Sequence, residues 1–189
     1  MTGSDKIFIS VTALGSAKDR KISSRSNAEI GYKVIVSGEH GNSAKGLEIL
    51  QSGERYNFSK FVQAHLMPVA QREFSKQISL NVKQGYAMMD SSDGLADALM
   101  QIAKMSGVRI CVQTEKIPHD QSVEIEQVLY GGEDYQLVAA VDESLLQKIS
   151  GYTIIGEVKS GDSGLEIDGK FFSDIDDKLY KHFEDKDET

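Results

Sequence analysis

The sequence predicts an α+β protein: a mixed β-sheet covered by helices. Three observations carry this. Short runs rich in β-branched and aromatic residues alternate with helical patterns, without the strict strand–helix–strand repeat of a parallel fold. The chain of 189 residues is long enough for one sizeable core and has no internal repeat, low-complexity tract or obvious linker. Its strongest helical pattern, Asp93 to Met105, puts Leu95, Ala98, Leu99 and Ile102 on one face, and such a face needs a covering layer.

The elements follow in chain order. Ile7 to Leu14 reads as a strand ending at Gly15, and Lys33 to Gly38 as a second one. A glycine-rich loop, Gly38 to Gly41, then runs into a helix with Asn42 or Ser43 as candidate N-cap. Residues 58–66 have helical spacing up to Pro68, and Val69 to Leu80 is a further helix. Tyr86 to Met89 is a short buried strand leading into the Asp93–Met105 helix, which Ser106-Gly107 ends. Val108 to Val112 is a strand, Val123 to Tyr130 a helix stopped by Gly131-Gly132, and Tyr135 to Val141 a strand. Asp142 caps a short helix up to Ile149, Tyr152 to Val158 is a strand, and Gly164 to Gly169 belongs to a terminal hairpin.

Composition narrows the function classes. The net charge of −8 argues against a nucleic-acid partner, because phosphate backbones demand a basic face. It leaves polyphosphate binding open, since divalent cations can carry charge between protein and ligand. No apolar stretch reaches membrane-spanning length, Met1 to Lys6 has no signal-peptide character, and the single Cys111 fits a reducing compartment. Cytoplasm, with no membrane partner, is the expectation. Cys111 reads as an inert core thiol. His40, His65 and His119 lack metal-ligand spacing and read as structural or surface residues. The acidic stretch Asp174 to Glu188 reads as a solvated tail.

Chemistry concentrates in two stretches. In "MMDSSDGL", Asp90 and Asp93 bracket two serines where a strand becomes a helix. Mg²⁺ takes one or two protein carboxylates and completes its shell with water and phosphate oxygens. Helix N-terminal N–H groups and a serine hydroxyl suit a phosphate. The other reading is a cap, with Ser92 or Asp93 serving the helix alone. In "LYGGEDYQL", Gly131 and Gly132 precede Glu133 and Asp134 directly before a strand. These acids either meet a substrate or cation, or are solvated in a turn. The Gly38–Ser43 loop is a weaker phosphate-cradle candidate, because it lacks a Gly-Lys-Ser/Thr ending.

Together the two stretches resemble the paired motifs of the thiamine-monophosphate kinase family, which is related to aminoimidazole ribonucleotide synthetase and the hydrogenase-maturation proteins. Asp90, Ser92, Asp93, Gly94 and Leu95 match the first motif, with Ser91 at its isoleucine. Gly131, Gly132, Glu133, Asp134, Tyr135 and Leu137 match the second. The stretches around Gly15 and Arg25, "VIVSGEHGNSAKGLEIL", "TIIGEV" and "LYKHF" extend the likeness over nearly the whole chain. Tyr32 and Tyr180 depart from the family's usual Asp and its Trp or Phe.

The resemblance implies the fold of the C-terminal domain of synthetase-like proteins, and ATP-dependent phosphorylation of thiamine monophosphate to thiamine diphosphate with Mg²⁺. It implies Asp90 and Asp93 as magnesium ligands, Arg25 and Ser92 as ATP contacts, and Glu133 and Tyr180 as substrate contacts. Gly94, Gly131, Gly132 and Asp134 would support them. It also implies that residues 1–22 are a lead-in from an N-terminal domain and residues 23–189 the C-terminal domain. That N-terminal domain, or a chain supplying it, would be a partner, with a homodimer expected at full length and little activity without it. The alternatives are a same-superfamily ATP-dependent enzyme with another substrate, hydrogenase-maturation-like, or an inactive binding module.

Overall fold

The computed structural model describes residues 9–53 and 59–175. Seven strands form one sheet: β1 (Lys33–Val36), β2 (Ala87–Asp90), β3 (Arg109–Val112), β4 (Leu137–Val141), β5 (Thr153–Lys159), β6 (Gly164–Ile167) and β7 (Lys170–Phe172). Their order across the sheet is β2-β4-β1-β5-β3-β6-β7. Every pairing is antiparallel except β3 with β6, so the sheet is mixed as the sequence predicts. The helices are α1 (Asn42–Gln51), α2 (Lys60–Leu66), α3 (Arg72–Asn81), α4 (Leu95–Ser106) and α5 (Ile125–Tyr130). None of the described helices is long and apolar enough to cross a membrane.

The period of two along each strand divides the core. Val34 and Val36 of β1, with Val138 and Ala140 of β4, face α4 and α5, where Leu95, Leu99, Ile102 and Val128 are buried. Ile35, Ala139 and Val141 point the other way, onto Phe74 and Ile78 of α3 and Leu145 and Ile149. A one-residue slip in β1 would exchange these two sets, so the covering helices fix the register. α4 ends as expected: Gly107 is left-handed (φ +67), and the N–H of Val108 reaches back to the Ala103 carbonyl at 3.1 Å.

Three expectations are corrected. Ile7 and Phe8 lie outside the described residues, but residues 9–14 form no strand. Ile9, Val11 and Leu14 stand 81%, 87% and 97% exposed. Strand propensity needs a neighbouring strand to become structure, and among the described residues before β1 only Ser24 makes a bridge to the sheet, at Ala87. Cys111 is not a core thiol. Ile110 and Val112 take the core positions of β3, so alternation puts Cys111 on the opposite face, half-buried beside Lys33, Glu157 and Glu166. Burial pushes its thiol above the ordinary value. Finally, α1 begins after Gly41 rather than after an Asn or Ser cap, for a reason that belongs to the site below.

His40 is fully buried, with Nδ1 at 3.1 Å from the Gly38 carbonyl. Burial lowers its pKa to about 4. In the unfolded chain it titrates near 6.5, so the unfolded state binds the extra proton first as pH falls. Its contribution to stability is complete above about pH 6.5 and is lost as pH falls towards 4. Between pH 7 and 4.5 the chain should lose about 2 kcal/mol from this residue, read by urea unfolding. His40→Gln should flatten that slope, and an unchanged slope would contradict the assignment.

Candidate active site

The site is built where two loops meet beneath α1. At the end of β2, Asp90 pairs with Leu137, and the chain turns through Ser91 to Gly94 into α4. The Gly94 N–H donates to the Ser91 carbonyl at 3.3 Å. Gly94 (φ +110) is itself the N-cap of α4, so the reading of Ser92 or Asp93 as that cap does not hold. Ser91 is fully buried, and among the described residues its hydroxyl has no hydrogen-bond partner.

The second loop leaves α5 at Tyr130 and runs to β4. The Glu133 N–H donates to the Ser92 carbonyl at 2.7 Å, and the Ser91 N–H donates to the Gln136 carbonyl at 2.9 Å. The approach is close enough to demand glycine. A Cβ on Gly132 would lie 2.7 Å from the Ser92 oxygen, and one on Gly131 would lie 2.6 Å from the Ala44 Cβ. Glu133 (φ +68) and Tyr135 (φ +51) occupy the left-handed region without being glycine. Each costs on the order of 1 kcal/mol, held in place by the surrounding bonds.

Asp134 between them turns inward. Its carboxylate accepts from the Gly41 N–H at 2.6 Å and from the Ser43 N–H at 2.9 Å, and the residue is buried. It therefore caps α1 from a remote loop, which is why neither Asn42 nor Ser43 has to. Asn42 instead donates to Glu39. Burial raises the Asp134 pKa, and the two backbone donors oppose that rise.

A cavity of about 460 Å³ opens at this junction. Ser92 and Asp93 line it from one loop, Gly131, Gly132 and Glu133 from the other, and Ser43, Leu47, Glu48 and His65 from α1 and α2. The Glu133 carboxylate accepts from the Tyr135 hydroxyl at 2.9 Å. That bond raises the Tyr135 pKa, with burial and the charges of Glu133, Asp90 and Asp93 adding to it.

Of the expected site residues, Ser92, Asp93, Gly131, Gly132 and Glu133 line the cavity, whereas Asp90, at the end of β2, is not among its lining residues. Arg25 is not brought there. Its carbonyl accepts from Ser106 at the far end of α4, and its neighbour Ser24 bridges the start of β2. Tyr180 lies outside the described residues. Ser43, expected as a helix cap, and His65, expected as a structural or surface residue, both line the cavity, and the bond that joins them crosses between two helices. The pair Ser43 and Gly46, small residues on one face of α1, was the available signal.

Among the described residues, no group of three or more His, Cys, Asp or Glu side chains could by itself hold a metal ion. Two aspartates at a turn, open to water and phosphate oxygens, nevertheless fit the way Mg²⁺ is usually held.

Removing Asp134 leaves two buried N–H groups without an acceptor. Asp134→Ala should cost about 2–4 kcal/mol by chemical unfolding, and Asp134→Asn, which keeps one acceptor, clearly less. Asp90→Asn should leave stability unchanged or slightly raised, because it relieves like-charge repulsion around Tyr135. A marked loss there would mean that Asp90 is chiefly structural.

No protein-family model matches the chain. The thiamine-monophosphate kinase of Aquifex aeolicus is 35% identical over 194 residues, covering 95% of this chain and 60% of that protein. The solved complex of AaThiL with AMPPCP and TMP superposes with a TM-score of 0.73 at 33% identity, over 85% of this chain and 54% of that one. The hydrogenase maturation protein HypE shares the fold, with a TM-score of 0.56 at 20% identity over 87% of this chain and 56% of its own. Along nearly its whole length the chain is similar to the thiamine-monophosphate kinases, and it spans about three-fifths of the Aquifex aeolicus relative.

Proposed function

We propose that this chain carries the phosphate-side and substrate-side walls of an enzyme that phosphorylates thiamine monophosphate to thiamine diphosphate with ATP and Mg²⁺. One observation supports the reading above others. The Ser92–Glu133 backbone bond joins the Asp-Ser-Ser-Asp turn and the Gly-Gly-Glu loop around a single cavity. The likeness to a protein solved with AMPPCP, a non-hydrolysable nucleotide, and TMP points to the same ligand classes.

In this reading Asp90 and Asp93 hold Mg²⁺, which when bound neutralises phosphate charge. The Ser92 hydroxyl and the N–H groups opening α4 take a phosphate oxygen, helped by the positive end of the helix dipole. Glu133 holds the cationic thiamine ring system, its carboxylate fixed by Tyr135. Arg25, held by Ser106 at the far end of α4, takes no part in this reading. Direct phosphoryl transfer asks little covalent chemistry of side chains, so orientation and charge neutralisation do the catalysis.

Two carboxylates are a sparse set for a cation that sheds water reluctantly. The 189-residue chain alone should therefore turn over little or nothing. Extended to the length of its relatives, it should convert thiamine monophosphate with ATP. Chelation of Mg²⁺ should stop the reaction, and Asp90→Asn or Asp93→Asn should slow it by about 100-fold or more, as expected for lost transition-state charge stabilisation. No conversion by the folded, extended protein would sink this substrate and favour another within the shared fold.

A further inference from the structure

The α1–α2 wall of the cavity contains a residue pair, Ser43 and His65, that the reading of the phosphate side leaves without a role. α2 packs unusually close to α1, because Gly46 leaves room: a Cβ there would lie 2.1 Å from the Phe61 carbonyl oxygen and 3.1 Å from the His65 Cβ. This contact brings the His65 ring to Ser43, whose Oγ lies 2.9 Å from His65 Nδ1. Ser43 is fully buried, and its own N–H is held by Asp134. A chain of bonds therefore runs from the buried carboxylate of the Gly-Gly-Glu-Asp loop, through Ser43, to one nitrogen of the imidazole.

His65 is partly exposed and lines the cavity with Ala44, Leu47 and Glu48. With Nδ1 engaged, Nε2 is the nitrogen left for a ligand. Glu48 beside it is fixed by Gln127 and Lys45, which hold its carboxyl below the ordinary value. This wall joins the apolar side chains of Ala44 and Leu47 to one imidazole, one carboxylate and the Gln51 amide, unlike the Ser92–Asp93 wall that suits phosphate. A flat heteroaromatic cation with ring nitrogens or an exocyclic amine matches it chemically: apolar faces to cover, a positive charge near Glu48, and a hydrogen-bonding edge for Nε2.

We propose that His65, oriented by Ser43, is a ligand-positioning residue that contacts the heteroaromatic part of the substrate. The inference rests on the reading of this cavity as the thiamine-phosphate site. It assigns His65 to the ring and not to the phosphate, and it gives Ser43 an indirect role through the imidazole.

Calorimetry on the 189-residue chain tests it, with thiamine monophosphate and unphosphorylated thiamine as probes and thermal unfolding measured alongside. His65→Ala should weaken both probes by a similar factor, about tenfold, the equivalent of one good hydrogen bond. His65→Gln, which keeps a polar group at the same reach, should recover most of the loss, and Ser43→Ala should weaken binding by a smaller factor. Full affinity in folded His65→Ala overturns the assignment of His65 while leaving the cavity reading intact, provided Glu133→Gln still weakens binding. Affinity that falls only in step with lost thermal stability, with no recovery in His65→Gln, makes the pair a strut between helices. A selective loss for thiamine monophosphate moves His65 to the phosphate and also overturns the assignment. Absence of binding by the wild-type chain removes the cavity reading and this inference together.

Discussion

Everything at the site depends on the 2.7 Å hydrogen bond between the Ser92 carbonyl and the Glu133 N–H. It joins the turn after β2 to the loop before β4, segments far apart in sequence. The bond forms only because Gly132 has no side chain where the Ser92 oxygen passes. From this one approach follow the left-handed backbone at Glu133 and Tyr135, and between them the inward turn of Asp134. The strain of those two residues is small beside the bonds that over-determine them.

The same loop extends its influence to the helices. Asp134 anchors the start of α1, so the N-terminus of that helix is set by the loop that carries Glu133. Ser43 passes the constraint to His65 on α2. The three walls of the cavity are thus tied to one segment, Gly131 to Gln136, and not held independently. A disturbance of that segment should reach all three. This economy explains why a Gly-Gly-Glu-Asp sequence, which looks like an ordinary turn, has so little freedom to vary in shape.

Much of this was legible in the sequence, and what was not has physical reasons. The α4 pattern was readable because one face must meet the sheet, and Leu95, Leu99 and Ile102 are buried there. The mixed sheet followed from strands that do not repeat in βαβ order. Ile9 to Leu14 misled because a run of β-branched residues becomes a strand only where a neighbour exists to pair with it. Cys111 misled because a short strand between apolar residues was read as buried on both faces, while β3 covers only one. The helix cap at Asn42 or Ser43 was misread because its true acceptor lies 91 residues away from Ser43. Local motifs give the atoms of a site. Close approaches such as Gly46 on Phe61 decide which atoms meet, and no single stretch of sequence records them.

The contact at Gly132 assembles the cavity. The most direct measurement is thiamine monophosphate binding by Gly132→Ala, with far-UV circular dichroism to verify the fold. The substitution should leave the sheet and helices formed but push the two loops apart. Affinity should then fall by about tenfold or more, and stability by a few kcal/mol, because a buried backbone bond is lost together with its neighbours. Wild-type affinity in a folded Gly132→Ala protein would contradict the claim, and the cavity would have to be held by something other than this bond.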